Sequence, residues 1–162
     1  MRTPTERREV RGHVLARFGF DPDKPVIAIF NHAVSDALGT NVELFEDLGD
    51  WFERTAEYAA DRTDSNWLMI DHPSQGLYDV TSFFDRLAAQ YEDRPHMAFR
   101  PSRAISKNAL WSVIDLGVTV RGSVSNELPA YGIPALQAGW SEWSACGFSR
   151  TAARQWSWAG GS

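Results

Sequence analysis

The sequence predicts an α/β domain: a Rossmann-like, largely parallel sheet with helices on both faces. Two observations carry that prediction. Short apolar runs alternate along the chain with segments whose apolar residues recur at helical spacing, and such alternation implies crossover connections between parallel strands. The runs are also continuously apolar, as strands buried on both faces must be.

Residues 1–24 are polar and charged and read as an N-terminal segment leading to the first strand, Val26 to Phe30. A long helix is expected next. Thr40 and Glu43 have the spacing of a capping box, and Leu44, Phe45, Leu48, Trp51, Phe52, Ala56 and Ala59 repeat on one face. Trp67 to Ile70 is the second strand. A loop with Pro73 and Gly76 leads to a helix in which Phe83, Phe84, Leu87, Ala88 and Tyr91 share a face, and Met97 to Phe99 is the third strand. Ser106 has the position of a cap for a short helix burying Leu110, Val113 and Ile114. Leu116 to Val120 and Ala135 to Ala138 are the fourth and fifth strands, joined through a short helix over Asn126 to Tyr131 that Gly132 can end. The domain is placed at 25–149. Residues 150–162 form a tail whose Trp156 and Trp158 lie beside Gly160 and Gly161 without a helix stop signal. Two readings of the tail stay open: its aromatics pack back on the domain, or the domain's natural end lies beyond them.

Composition bounds the function. A chain of 162 residues holds one domain with a substantial core. Its net charge of −5 gives no support to nucleic-acid binding, which needs a basic face. One cysteine, Cys146, leaves no internal disulfide and fits a reducing compartment. No apolar run spans a bilayer and the N-terminus lacks the apolar core of a signal peptide. The expected location is the cytoplasm, with a peripheral position at the inner membrane left open.

In open parallel sheets, ligands bind beyond the C-terminal ends of the strands. Asn31, His32, Ser35 and Asp36 follow the first strand; Asp71, His72 and Pro73 follow the second. Arg121, Gly122, Ser123, Ser125 and Glu127 follow the fourth, and Gly139, Ser141 and Ser144 the fifth. The strand–turn–helix through Val118 to Glu127 aims backbone N–H groups at one spot, which suits a phosphate. Glu127, one turn on, is placed to accept hydrogen bonds from sugar hydroxyls. Each residue also has a structural alternative. His72 beside Pro73 fits a turn, Asn31 and His32 fit loop hydrogen bonds, Glu127 fits the helix dipole, and Arg121 fits an ion pair. Other chemistries lack their residues. The four histidines show no metal-ligand spacing, and the chain has no phosphate-binding P-loop, no Gly-x-Gly-x-x-Gly after the first strand and no Gly-x-Ser-x-Gly elbow.

An ordered set of motifs adds a resemblance. Phe30-Asn31-His32 with Asp36, Leu44-Phe45-Glu46-Asp47, Trp51, Asn66-Trp67-Leu68 and His72-Pro73 come first. Thr119-Val120-Arg121-Gly122-Ser123, Glu127, Gly132-Ile133-Pro134, Ala138-Gly139 and Ser144 to Phe148 follow. Over about residues 25–149 this resembles the donor-binding, C-terminal half of bacterial capsule and surface-polysaccharide glycosyltransferases of GT-B architecture. The nearest group carries a His-Pro motif and includes transferases for Kdo and related acidic sugars. The resemblance implies that His72 contacts the phosphate or sugar of a nucleotide-sugar donor, that Ser123 and Ser125 with the turn backbone bind phosphate, and that Glu127 holds the ribose. Arg121 and Gly122 belong to the same donor-binding turn. Asn31, His32 and Ser144 would line the cleft, and Asp36 is the candidate catalytic base. It also implies no metal or other cofactor, a glycan or glycolipid acceptor, and an N-terminal domain or partner chain to complete the site. One departure is Ile70, where related sequences often carry a Lys. A second is length, since GT-B enzymes have two Rossmann-like domains. The alternatives are a non-catalytic binding or assembly module and a nucleotide-sugar epimerase.

Overall fold

A computed structural model of the chain describes residues 4–32, 45, 47–74 and 81–151. Its centre is a six-stranded sheet in the order β3-β2-β1-β4-β5-β6, and every neighbouring pair is parallel. The strands are β1 (Val26–Phe30), β2 (Asn66–Ile70), β3 (Met97–Arg100), β4 (Leu116–Thr119), β5 (Ala135–Gln137) and β6 (Arg150–Thr151). Among the described residues the α-helices are α1 (Pro4–Phe18), α2 (Leu48–Ala60), α3 (Phe83–Gln90), α4 (Lys107–Leu110) and α5 (Val124–Ala130). The strand order reverses between β1 and β4, which creates a crevice at the carboxyl ends of those two strands.

Alternate residues of each strand feed two separate cores. On one side Val26, Ala28, Leu68 and Ile70 pack with Leu15 and Phe18 of α1, Leu110, and Val124 and Leu128 of α5. On the other, Ile29, Trp67 and Met69 meet Leu48, Trp51, Phe52 and Ala56 of α2 and Phe84 and Leu87 of α3. Both faces are therefore covered, as the unbroken apolar strands require.

The structure departs from the sequence reading in three places. The polar N-terminal segment contains α1. Its apolar residues crowd into the last turns, so no period runs its length, yet Leu15 and Phe18 reach the core. Arg11 anchors it further, donating to the Val113 carbonyl at 2.6 Å and pairing with Asp115 at 2.8 Å. Asp115 also accepts from the Val26 N–H at 2.8 Å, so one carboxylate joins α1, β1 and the entry to β4. Second, the cap of α2 is Asp47, whose side chain accepts from the Asp50 N–H at 2.7 Å; Thr40, Glu43 and Leu44 lie outside the described residues. Third, β6 was not expected, because two residues carry no periodicity. It exists through its pairing with β5, Leu136 with Arg150 and Gln137 with Thr151. Trp156 and Trp158 lie outside the described residues.

Other expectations hold. Ser106 caps α4, its side chain accepting from Ala109 N–H. Gly132, at φ +76°, follows α5 and lets Ile133 N–H reach back to the Leu128 carbonyl at 3.1 Å. Gly117 in β4 has a different reason. A Cβ there would be driven into Leu128 Cδ1, so glycine is what lets α5 lie close on the sheet. Gly117→Ala is expected to lower the unfolding free energy by about 1–3 kcal/mol, as overpacking does. A denaturant titration checks this, and unchanged stability would contradict the close packing of α5 on β4.

Candidate functional site

The carboxyl ends of β1, β2 and β4 open into one cleft of about 310 Å³. Its rim includes Asn31 and His32 after β1, Asp71, His72 and Pro73 after β2, and Arg121, Gly122, Ser123 and Glu127 after β4. Its apolar wall comes from Phe30, Ile70, Ile105, Leu110 and Trp111. Size and lining match a small-ligand site with a few polar groups on an apolar floor.

Register explains why these residues meet. Phe30 pairs with Ile70, so the next residues, Asn31-His32 and Asp71-His72, leave the sheet side by side. Both follow the same local rule. Asn31 Oδ1 accepts from the His32 N–H at 2.9 Å, and Asp71 Oδ1 accepts from the His72 N–H at 2.7 Å. The two imidazoles stack, with centroids 5.7 Å apart and planes 12° from parallel. His72 Nδ1 accepts from the Ser74 N–H at 3.2 Å, so the neutral ring carries its hydrogen on Nε2. Asn31 is 5% exposed, and its Nδ2 is buried without a hydrogen-bond partner among the described residues. Its oxygen is already committed to His32, which leaves the amide donor for an incoming acceptor. A buried donor left unpaired costs about 1–3 kcal/mol, so a water or a bound group is the expected partner of this amide.

On the β4 side, the turn spends several of its own groups internally. Gly122 N–H donates to Thr119 Oγ1 at 3.1 Å, and a Cβ on Gly122 would crowd that oxygen. Ser125 N–H donates to the Gly122 carbonyl at 3.0 Å. Ser123 Oγ donates to Glu127 Oε1 at 3.2 Å, and Lys107 Nζ meets Glu127 Oε2 at 2.6 Å. Lys107 lines the same cleft, from the start of α4. Sequence reasoning missed it. The Ser106 cap was legible, but the meeting of residues 107 and 127 depends on how α4 and α5 pack.

One expected ligand contact, Ser125, and one expected cleft-lining residue, Ser144, take a structural place instead. Ser125 is fully buried outside the cleft lining, donating to the Gly122 carbonyl at 2.9 Å and accepting from Gln137 Nε2 at 2.9 Å. Ser144 is also absent from that lining and donates to Gln137 Oε1 at 2.7 Å. Gln137 is a buried hub: its amide also donates to Ser141 Oγ at 2.9 Å and its oxygen accepts from Thr151 Oγ1 at 3.3 Å. For Ser125 the reason is periodicity. In the first turn of α5, residue 125 faces the sheet while 123 and 127 share the opposite, outer face. Asp36 and Ser35 lie outside the described residues.

Among the described residues, no group of three or more His, Cys, Asp or Glu side chains could hold a metal ion, and no helix is long and apolar enough to cross a membrane. The cleft instead gathers Lys107, Arg121 and two histidines, with Asp71 and Glu127 as its acids, on a chain of net charge −5.

No family model and no curated protein matches the sequence. Solved structures do match its fold. The UDP-GlcNAc 2-epimerase from Neisseria meningitidis bound to UDP-GlcNAc superposes with a TM-score of 0.58 at 13% identity, covering 93% of this chain and 36% of that one. The H548A form of the wall teichoic acid polymerase TagF gives 0.55 at 18% identity, covering 83% and 30%. The β-Kdo 2,4 transferase KpsC from Thermosulfurimonas dismutans gives 0.52 at 15% identity, covering 95% and 51%. The fold is therefore a Rossmann-like α/β unit resembling one half of a GT-B glycosyltransferase, and the chain spans between 30% and 51% of the length of these structures.

The division between cleft and core predicts distinct effects for the two serines. Ser125→Ala is expected to cost about 1–2 kcal/mol of stability through the loss of a buried hydroxyl from the Gln137 network. Ser123→Ala, at the cleft surface, is expected to stay within about 0.5 kcal/mol of the parent. Chemical denaturation of both variants checks this; equal losses would place Ser123 in the core as well.

Proposed function

We propose that this chain is the donor-binding part of a GT-B glycosyltransferase that transfers a sugar from a nucleotide-activated donor in capsule or surface-polysaccharide synthesis. The observation that carries the reading is the single cleft at the strand-order reversal, where Asn31, His32, His72, Arg121, Ser123 and Glu127 line one cavity. The named ligand of the epimerase, UDP-GlcNAc, and the named chemistry of KpsC, Kdo transfer, support this class of substrate.

In this reading the phosphates lie among His72 Nε2–H, Arg121 and the Gly122-Ser123 turn. The carboxylate of Glu127 takes the ribose, and the wall of Phe30, Ile105 and Trp111 takes the base, an aromatic surface being suited to a flat ring. The Asn31 amide and His32 face the sugar or its acceptor, and Asp36, in the segment that follows β1, is the proposed catalytic base. Positive side chains take over the part a metal would play, stabilising the leaving phosphate electrostatically. A glycan or glycolipid acceptor and a second domain or partner chain would complete the reaction. The cytoplasm, at the inner face of the membrane, is the place where such donors and acceptors meet.

An epimerase acting on a nucleotide sugar is the second reading, favoured by the match to the UDP-GlcNAc 2-epimerase. Incubation with UDP-GlcNAc separates the two, because only an epimerase converts it to its C2 epimer without an acceptor, as NMR would show.

Nucleotide binding is the first test. One of UDP, GDP or CMP is expected to raise the melting temperature by mass action, and His72→Ala or Arg121→Ala to weaken its affinity about tenfold or more through loss of a charge-assisted contact. Added EDTA is expected to leave the affinity unchanged. Binding that survives both substitutions would overturn the placement of the phosphates.

A further inference from the structure

The Lys107–Glu127–Ser123 cluster is the polar feature of the cleft that crosses between two helices. Glu127 is fixed from both sides: Lys107 Nζ holds Oε2 at 2.6 Å and Ser123 Oγ donates to Oε1 at 3.2 Å. An ionised carboxylate has about four acceptor positions, two on each oxygen. Each oxygen here uses one, so each keeps one, and the two that remain lie on a group that no longer rotates freely. That is the arrangement that accepts from two adjacent hydroxyls at once. An unrestrained glutamate would have to lose its own side-chain freedom on binding, and pre-ordering removes that cost.

We propose that Lys107 is a positioning residue that, with Ser123, locks Glu127 to chelate a vicinal diol, and so makes the cleft select ribonucleotides over their 2′-deoxy counterparts. The inference rests on the nucleotide reading above and goes beyond it by naming the residue that sets discrimination. Lys107 acts through Glu127. It reaches across from α4, while Ser123 and Glu127 belong to the N-cap and first turn of α5, so the lock depends on both helices. The side chain of Lys107 is 70% exposed, so its replacement leaves the core intact.

The experiment measures affinity for UDP, GDP and CMP, each against its 2′-deoxy counterpart, by calorimetry on the full chain. The parent is expected to prefer the ribo form of the nucleotide it binds by about tenfold or more, the scale of one hydrogen bond to a charged group. Lys107→Met is expected to lower that ratio by about threefold, in keeping with an exposed ion pair. Lys107→Arg restores it, and Glu127→Gln abolishes most of it. A merely structural role for Lys107 would shift both affinities together and leave the ratio where it was, which overturns the proposal. Binding with no preference for the ribo form overturns the chelating carboxylate while the nucleotide reading stands. If none of the three nucleotides binds, the nucleotide reading itself falls, and this inference with it.

Discussion

Everything at the site depends on the register of β1 between its two parallel neighbours. Phe30 sits opposite Ile70 on one side and Thr119 on the other, so the chain leaves all three strands at the same level. A slip by two residues in either pair would keep every side chain on its own face and preserve much of the core, yet it would carry one rim of the cleft nearly 7 Å along the strand. What prevents the slip is the specific packing below: Gly117 under Leu128, and the Val26 N–H held by Asp115. The cleft is thus specified by contacts at the opposite end of the strands from the side chains that line it.

A second division runs through α5. Its inner face carries Leu128 and Ser125, and its outer face carries Glu127, with Ser123 just before it. The polar residues of one short segment therefore have opposite fates. Ser125 enters a satisfied, buried network around Gln137, which ties α5 to β5 and to the chain beyond it. Ser123 and Glu127 remain at the cleft with Lys107. Buried polar groups are stabilising only when fully paired, and the Gln137 network meets that condition. Asn31 does not, since its buried Nδ2 lacks a partner among the described residues. The contrast separates polar residues that hold the domain together from one whose pairing the fold leaves open at the cleft.

A parallel α/β sheet hosts many chemistries, and the match to structures at 13–18% identity establishes its shape alone. What narrows the reading is the lining of the cleft: histidines from β1 and β2, a cation and hydroxyl from β4, and a carboxylate already fixed at both oxygens. That combination offers donors to an anion and acceptors to a diol within one cavity, and a nucleotide sugar presents both.

The sequence by itself determined the fold class, five of the six strands, four helices and the end of the sheet at which the cleft opens. Those features follow from local information: continuous apolar runs, helical spacing, Ser106 as a cap and Gly132 as a stop. It also pointed to most of the cleft, because any polar residue just past a strand's carboxyl end has one place to go in a parallel sheet. Tertiary structure decided the rest. Helix α1 was illegible because its buried residues are gathered at one end, and β6 because two residues have no period. Ser125 and Ser144 read like their neighbours in sequence and were separated from them by the direction in which each side chain faces. Lys107 lies 20 residues from Glu127, and no local pattern records a contact that forms only when two helices pack on the same sheet.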